Sequence, residues 1–313
     1  MAEKEATRAA YGRKLTELGE KYDFYVLDAD LSGSTQTAVF AKKYPERFFN
    51  AGIAEGNMIS VAAGIAATGI PAFASSFAMF ACGRAFEQIR NSVAYPCLPV
   101  KICASHAGVT VGEDGATHQF CEDMAIMRAL PNMTVVCPAD SASTEALLEE
   151  IVKFDGPVYM RFGRLAVPVI NDNDDYKFEL GKGIVLKDGS DVTIVATGLL
   201  VNEALEAAKK LESENISARV INIHTIKPLD KELIEKAARE TGVIVTAEEH
   251  SVIGGLGEAV CEAVCSSYPV PVVKIGVEDR FGYSGPAAVL LEQFGLCSEN
   301  IYNVTKDSLK LKK

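Results

Sequence analysis

Val100-Lys101-Ile102-Cys103-Ala104, then His106, then Gly112-Glu113-Asp114-Gly115-Ala116-Thr117-His118-Gln119: the chain passes from an apolar run to a concentration of acids, imidazoles and glycines. A nearly unbroken apolar run reads as a strand buried on both faces. Polar chemistry just past the end of such a strand is where open α/β sheets hold their ligands. The plain alternative is a surface loop of glycine turns and solvated charges, and the density of reactive groups favours a site.

Outward from this stretch the same alternation continues. Phe24 to Leu27 reads as a strand ending in Asp28-Ala29-Asp30, and Phe48-Phe49-Asn50 as a short strand. Ile59 to Ala67, small and apolar all round, predicts a buried helix. Phe86, Ile89 and Val93 recur at helical spacing, and Thr134 to Cys137 and Val158 to Arg161 are further strands. Between those two, Ser141 or Ser143 is expected to cap a helix running to Val152. Strands separated by helices mean a parallel sheet covered on both faces. Ile170-Asn171-Asp172-Asn173-Asp174-Asp175-Tyr176 then interrupts the pattern as a polar, acidic boundary. Beyond it, strands at 191–196, 218–223, 243–247 and 270–277 alternate with helices at 201–214 and 230–240 and one after Gly254-Gly255-Leu256-Gly257. The expected fold is α/β in two domains, residues 1–172 and 188–313, joined by a linker at 173–187.

The chain has 313 residues, 48% hydrophobic and 23% charged, an ordinary globular balance long enough for two domains. A formal net charge of −11 argues against nucleic acid, which needs a basic patch. One or two local arginines can still hold a phosphorylated small molecule. Eight Cys at irregular spacing and four scattered His fit neither a disulfide framework nor a protein-only zinc site. Cys97, Cys103 and Cys137 read as small core residues. The charged first residues and the lack of a long apolar run give the expectation of a cytoplasmic protein without a membrane segment.

The loop Gly112-Glu113-Asp114-Gly115-x-Thr117-His118-Gln119 with His106 resembles the substrate loop of transketolases. Asn50-Ala51-Gly52-Ile53-Ala54-Glu55-Gly56-Asn57-Met58 resembles their segment carrying the glutamate that contacts thiamine diphosphate. Leu130-Pro131-Asn132-Met133 and Thr225-Ile226-Lys227-Pro228-Leu229-Asp230 extend the likeness over essentially the whole chain. The family's Gly-Asp-Gly motif, which binds the magnesium diphosphate end, is missing, and Gly112 to Gly115 lacks the Asn that would follow it. The resemblance thus implies the C-terminal half of a split transketolase: a pyrimidine-binding domain and a small C-terminal domain. Its partner would be an N-terminal subunit supplying the diphosphate site and the Mg2+ ligands. Two copies of each chain are expected, with a homodimer contact within the assembly.

The same resemblance assigns roles. Glu55 would hydrogen-bond the pyrimidine nitrogen and favour the imino tautomer, whose nitrogen removes the thiazolium proton. Phe77 and Phe80 would pack on the pyrimidine ring, and Asp30 is a further cofactor contact. The family commonly has a third aromatic where this chain has Gly83, and Phe86 is the candidate to fill that space. His106 and His118 would act on the substrate together with Asp114, Arg161, Ser34 and Arg8, with Arg161, Arg8 and Ser34 holding phosphate. Arg164 reads as an ordinary salt-bridge former, and His224 and His250 as structural. The loop at Glu248 to Gly257 does not meet the spacing of a nucleotide fingerprint.

Three other readings compete. The beta subunit of a 2-oxo acid dehydrogenase shares the layout, but decarboxylation has no need of the His106 to Gln119 polar set. Deoxyxylulose-phosphate synthase shares parts of the loop but is normally one long chain. A non-catalytic assembly subunit would not need to keep Glu55, His106, Asp114, His118 and Arg161 together.

Overall fold

A computed structural model describes residues 4–171 and 178–312. Its strands are β1 (Lys4–Ala6), β2 (Tyr25–Asp28), β3 (Phe48–Asn50), β4 (Ala72–Phe77), β5 (Val100–Ser105), β6 (Thr134–Val136) and β7 (Val158–Arg161). They continue as β8 (Ala166–Pro168), β9 (Ile184–Lys187), β10 (Val192–Ala196), β11 (Ala218–Asn222), β12 (Thr225–Lys227), β13 (Ile244–Ser251) and β14 (Val272–Val277). One sheet has the order β12-β6-β7-β5-β4-β2-β3 and a second the order β14-β13-β10-β11-β9, while β1 pairs with β8 alone. Both large sheets are parallel except at one edge, where β12 and β9 run antiparallel to β6 and β11. The fold is α/β with two parallel-sheet units.

The apolar run from Val100 is β5, every residue buried, between β4 and β7. Its one charged residue, Lys101, is buried because its ammonium donates to the Phe154 and Gly156 carbonyls at 2.6 and 2.7 Å. Burial holds that ammonium down at about 8. Strand β4, Ala-Phe-Ala-Ser-Ser-Phe, carries no sequence signal of its own, yet it sits fully buried between β2 and β5. Its small residues let the covering helices approach.

Several expectations are corrected here. The helix Glu55–Ala66 is not buried all round, because the sheet covers one side and leaves Ser60, Val61 and Gly64 exposed. Helix Ser141–Ile151 is capped by Asp140, whose carboxylate accepts from the Ser143 amide while the Ser143 hydroxyl accepts from the Asp140 amide. The linker expected at 173–187 ends earlier, since Ile184–Lys187 is a strand of the second sheet, and residues 172–177 lie outside those described. Thr225–Lys227 follows a second-sheet strand but pairs with β6 in the first, so the chain crosses back. Cys103 and Cys137 are buried as expected, whereas Cys97 is exposed, in a left-handed conformation. Helices Thr7–Leu18, Ala287–Gln293 and Ser298–Ser308 were not anticipated. No helix among the described residues is long and apolar enough to cross a membrane.

Asp140 also accepts from the Ile170 and Asn171 amides, tying the end of the first unit to its sheet. Asp140→Ala should therefore cost about 2–3 kcal/mol, the loss of a cap plus a buried acceptor. Urea unfolding checks this, and a loss below about 0.5 kcal/mol would show that the cap is dispensable.

Candidate active site

The site lies where β2, β3, β4 and β5 all end, at the C-terminal edge of the first sheet. Two of its residues hold backbone angles that non-glycine residues rarely adopt: Asp30 at φ +64° and His106 at φ +57°. Asp30 is exposed, and its amide donates to Asn50 Oδ1 at 3.1 Å. Behind it, buried Asp28 accepts from Leu31 N, Thr35 Oγ1 and Thr37 Oγ1 and shapes the turn leading to Ser34.

Glu55 is the first residue of its helix and is only 1% exposed. It does not sit among apolar groups alone, as its small neighbours in sequence suggested. Arg84 Nη1 donates to its Oε2 at 2.8 Å, and the same guanidinium lies 4.7 Å over the Phe80 ring. Phe80 stacks with Phe77 at 6.0 Å, and Phe77 stacks on His106 at 3.8 Å. His118 meets the Phe80 ring edge-on at 5.3 Å. The space beside Gly83 belongs to Met79 and Phe120, which a Cβ there would meet at 3.1 and 3.4 Å, and not to Phe86. A buried carboxylate beside two phenyl rings suits a flat heterocycle with ring nitrogens and an amino group. Among the described residues no group of three His, Cys, Asp or Glu is placed to hold a metal ion.

His106 is buried, with Nδ1 2.9 Å from Ser105 Oγ. Burial first, then Arg8, Arg164 and His118, push its imidazole down to about 3. It is neutral at any ordinary pH. Arg8 donates to the Ser34 carbonyl at 2.6 Å, and burial together with Arg164 pulls its guanidinium below its ordinary range. Arg8 and Arg164 thus form one electropositive pair beside the neutral His106, as an anionic ligand end requires.

Arg161 is placed elsewhere. It is 4% exposed, with Nε donating to Asp123 at 2.7 Å and Nη2 to the Glu249 carbonyl at 2.7 Å. A guanidinium so enclosed is not available to a phosphate. Arg164 is the residue that faces the site: its side chain is 38% exposed, and it donates to the Val111 carbonyl and reaches Glu113 at 3.3 Å. The reading of Arg164 as a salt-bridge former holds in its pair with Glu113, while the burial of Arg161 leaves Arg164 as the exposed arginine of the two. Asp114 is exposed beyond Gly112. His224 and His250 are fully buried and bonded to Thr225 Oγ1 and the Ser251 carbonyl, which fits structural roles.

The loop carrying these groups is pinned from the second unit. Glu249 accepts the Thr110 amide at 2.7 Å, and Gly108 (φ +81°) must be glycine because a Cβ would lie 2.3 Å from that carboxylate. Gln119 donates to the carbonyls of Val109, Gly112 and Tyr283. Burial pushes the Glu249 carboxyl up to about 7 against the opposing pull of Arg161 and Thr110. Neither Arg84, Arg164 nor Glu249 carried a sequence signal beyond a charge near a motif.

Residues 3–169 match the transketolase pyrimidine binding domain, and residues 181–301 match the transketolase C-terminal domain. The chain belongs to the transketolase family. A solved structure described as a split gene transketolase, inactive beta4 tetramer, superposes with a TM-score of 0.92 at 55% identity, covering 98% of this chain and 99% of that one. A 6-deoxy-6-sulfo-D-fructose transketolase subunit of a Clostridium species is 46% identical, over 94% of this chain and 91% of its own length. An apulose-4-phosphate transketolase subunit of Phocaeicola vulgatus is 40% identical over 97% of this chain and 98% of its own. Human transketolase is 40% identical over 95% of this chain but only 48% of its own length. This family member is a transferase chain corresponding to the C-terminal section of a split transketolase.

His106 at about 3 and His224 at about 4 are both held below the ordinary imidazole range by burial. The folded chain therefore binds fewer protons than the unfolded one below pH 6.5 or so, and the pair contributes stability that is lost as pH falls toward their folded values. Glu249 acts in the opposite sense, its contribution fading as pH rises toward 7. Cε1 proton resonances of His106 and His224 should stay flat from about pH 5 to 8. A midpoint near 6.5 for His106 would contradict its burial.

Proposed function

We propose that this chain is the C-terminal subunit of a split transketolase that moves a two-carbon ketol unit between ketose and aldose phosphates, its site completed by a diphosphate-binding partner chain. The observation that carries the reading is convergence at one sheet edge. Glu55, Phe77 and Phe80 offer a pyrimidine pocket, and His106, His118, Arg8 and Arg164 lie beside it. Thiamine diphosphate, when bound, supplies the electron sink for the ketol carbanion.

Glu55 would hold a proton at a pyrimidine nitrogen, the buried carboxylate having no water to compete for it. Phe77 and Phe80 would fix the ring plane and exclude water. Neutral His106 can accept or donate at a substrate oxygen without the cost of a buried charge, and His118, half-buried at the rim, can exchange protons with solvent. Arg8 and Arg164 would take the phosphate end in place of Arg161, with Asp114 and Ser34 left to the sugar hydroxyls. Two guanidiniums flanking a neutral imidazole favour a doubly charged phosphate over an uncharged sugar. The sulfosugar and apulose phosphate in the relatives' names point to the sugar substrate as the variable part of the reaction.

The partner surface belongs beside Glu55. Ile53 is 76% exposed, and Phe49 and Val61 are 45% and 42% exposed, an apolar neighbourhood that water does not favour. An assembly of two of each chain, with Mg2+ held by the partner, follows from the family layout, and a cytoplasmic setting suits its phosphorylated substrates.

Ketol transfer from xylulose 5-phosphate to ribose 5-phosphate should appear only when this chain is mixed with its diphosphate-binding partner, thiamine diphosphate and Mg2+. Activity of this chain alone would overturn the split site. In the mixture Glu55→Gln should lower kcat by about 100-fold or more. Arg164→Met should raise the KM for the sugar phosphate about tenfold with kcat nearly unchanged, the sign of lost ground-state binding. Equal effects on KM and kcat would remove Arg164 from the phosphate site.

A further inference from the structure

The Arg84 side chain makes two contacts that belong together. One N–H donates to Glu55 Oε2 at 2.8 Å, and the guanidinium plane rides 4.7 Å over the Phe80 ring. Glu55 and Phe80 are the two groups assigned to the pyrimidine. A guanidinium and an aminopyrimidine share the relevant chemistry: both are flat and delocalised, both lie on an aromatic face, and the ring nitrogen that meets the carboxylate presents an N–H once a proton is shared with it. We propose that Arg84 is a stand-in for the aminopyrimidine, filling its place on Glu55 and Phe80 until the cofactor displaces it. This rests on the reading of Glu55 and Phe80 as the pyrimidine site.

Three features separate a displaceable stand-in from a permanent strut. The two partners are unequal: Glu55 is 1% exposed, while the Arg84 side chain is 50% exposed and has solvent to move into. An ion pair half open to water is weak and easily exchanged. Arg161 shows the contrast, its guanidinium enclosed between Asp123 and the Glu249 carbonyl. Arg84 also ends the π-wound segment Met79–Arg84, and Ala85 after it departs from helical angles at φ −100°, ψ 19°. Such turns tolerate local rewinding and recur at functional sites. Finally, a buried carboxylate needs a donor at all times. Arg84 supplies one while the pocket lacks its ligand, which keeps Glu55 in place in a chain synthesised apart from the diphosphate half. The consequence is a competition: the cofactor's ring binds only by replacing an internal partner.

The probe is the neutral 4-amino-5-hydroxymethyl-2-methylpyrimidine, near pH 8, titrated into the full chain and followed by ligand-observed NMR. It carries no phosphate and no thiazolium charge, so the loss of a positive residue does not change its binding by simple attraction. Arg84→Met should bind it about fivefold or more tightly than wild type, and R84K, which keeps the charge but cannot lie flat on Phe80, should also bind more tightly. Adding Glu55→Ala to R84M should abolish the gain. If R84M and R84K equal wild type or bind more weakly while Glu55→Ala and Phe80→Ala abolish binding, the stand-in is refuted and the pyrimidine site stands. If Glu55→Ala and Phe80→Ala leave binding unchanged, the site itself is refuted. Absence of binding by R84M up to the solubility of the probe also overturns the proposal, and R84K serves if R84M does not fold.

Discussion

A charge enclosed at the seam of two domains has to be paired there, and Arg161 is that charge. It ends β7 in the first sheet, meets Asp123 at 2.7 Å, and donates to the backbone of Glu249 on β13 of the second. Tyr159 donates to the same Asp123 oxygen. Taking a guanidinium and a carboxylate out of water is costly, so removing either partner is strongly destabilising even where the pair itself adds little net stability. What this node fixes is register. With Glu249 held by its carbonyl, its carboxylate is set to receive the Thr110 amide and to abut Gly108, the first turn of the loop that leads to His118.

The second unit therefore braces the loop of the candidate site by direct contact. Ser284 and Gly285 lie against Gly115 and Gly112, where side chains on the glycines would collide or strain, and Tyr283 accepts from Gln119. Strand β12 adds a physical tie, running from the second sheet onto the edge of the first. A loop braced on two domains can hold imidazoles at fixed spacing, which is what a reaction built on positioning needs. The opposite flank, with Arg84, Ile53 and Phe49, is exposed and unbraced. The rigid half of the site is made by this chain, and the open half faces where a partner is proposed.

Legibility followed the range of the interactions. The apolar run of β5, the acidic and imidazole loop after it and the body of the helix from Ile59 could be read because each depends on neighbours in sequence, whereas the start of that helix at Glu55 could not. Strand β4 could not, because Ala-Phe-Ala-Ser-Ser-Phe is a strand only by virtue of β2 and β5 beside it. Cap assignment failed at Ser141 by one residue, Asp140 being the residue that both caps and holds the Ile170 and Asn171 amides. The environments of Arg161 and Arg164 could not be told apart because both lie near the end of one strand, and burial depends on which meets Asp123.

The sequence by itself determined the α/β alternation, the family, and the kinds of side chain available for the chemistry. Those follow from local periodicity and from residue types that no packing can change. Only the tertiary structure decided which arginine is enclosed and which is partly exposed, that Arg84 lies on Glu55 and Phe80, and that Glu249 holds the Gly108 to Thr110 turn from another domain. Apart from Arg84 on the nearby Phe80, those are contacts between residues 29 to 139 positions apart, and a long-range pairing of charges is set by the energy of burying them together, which no short stretch of sequence contains.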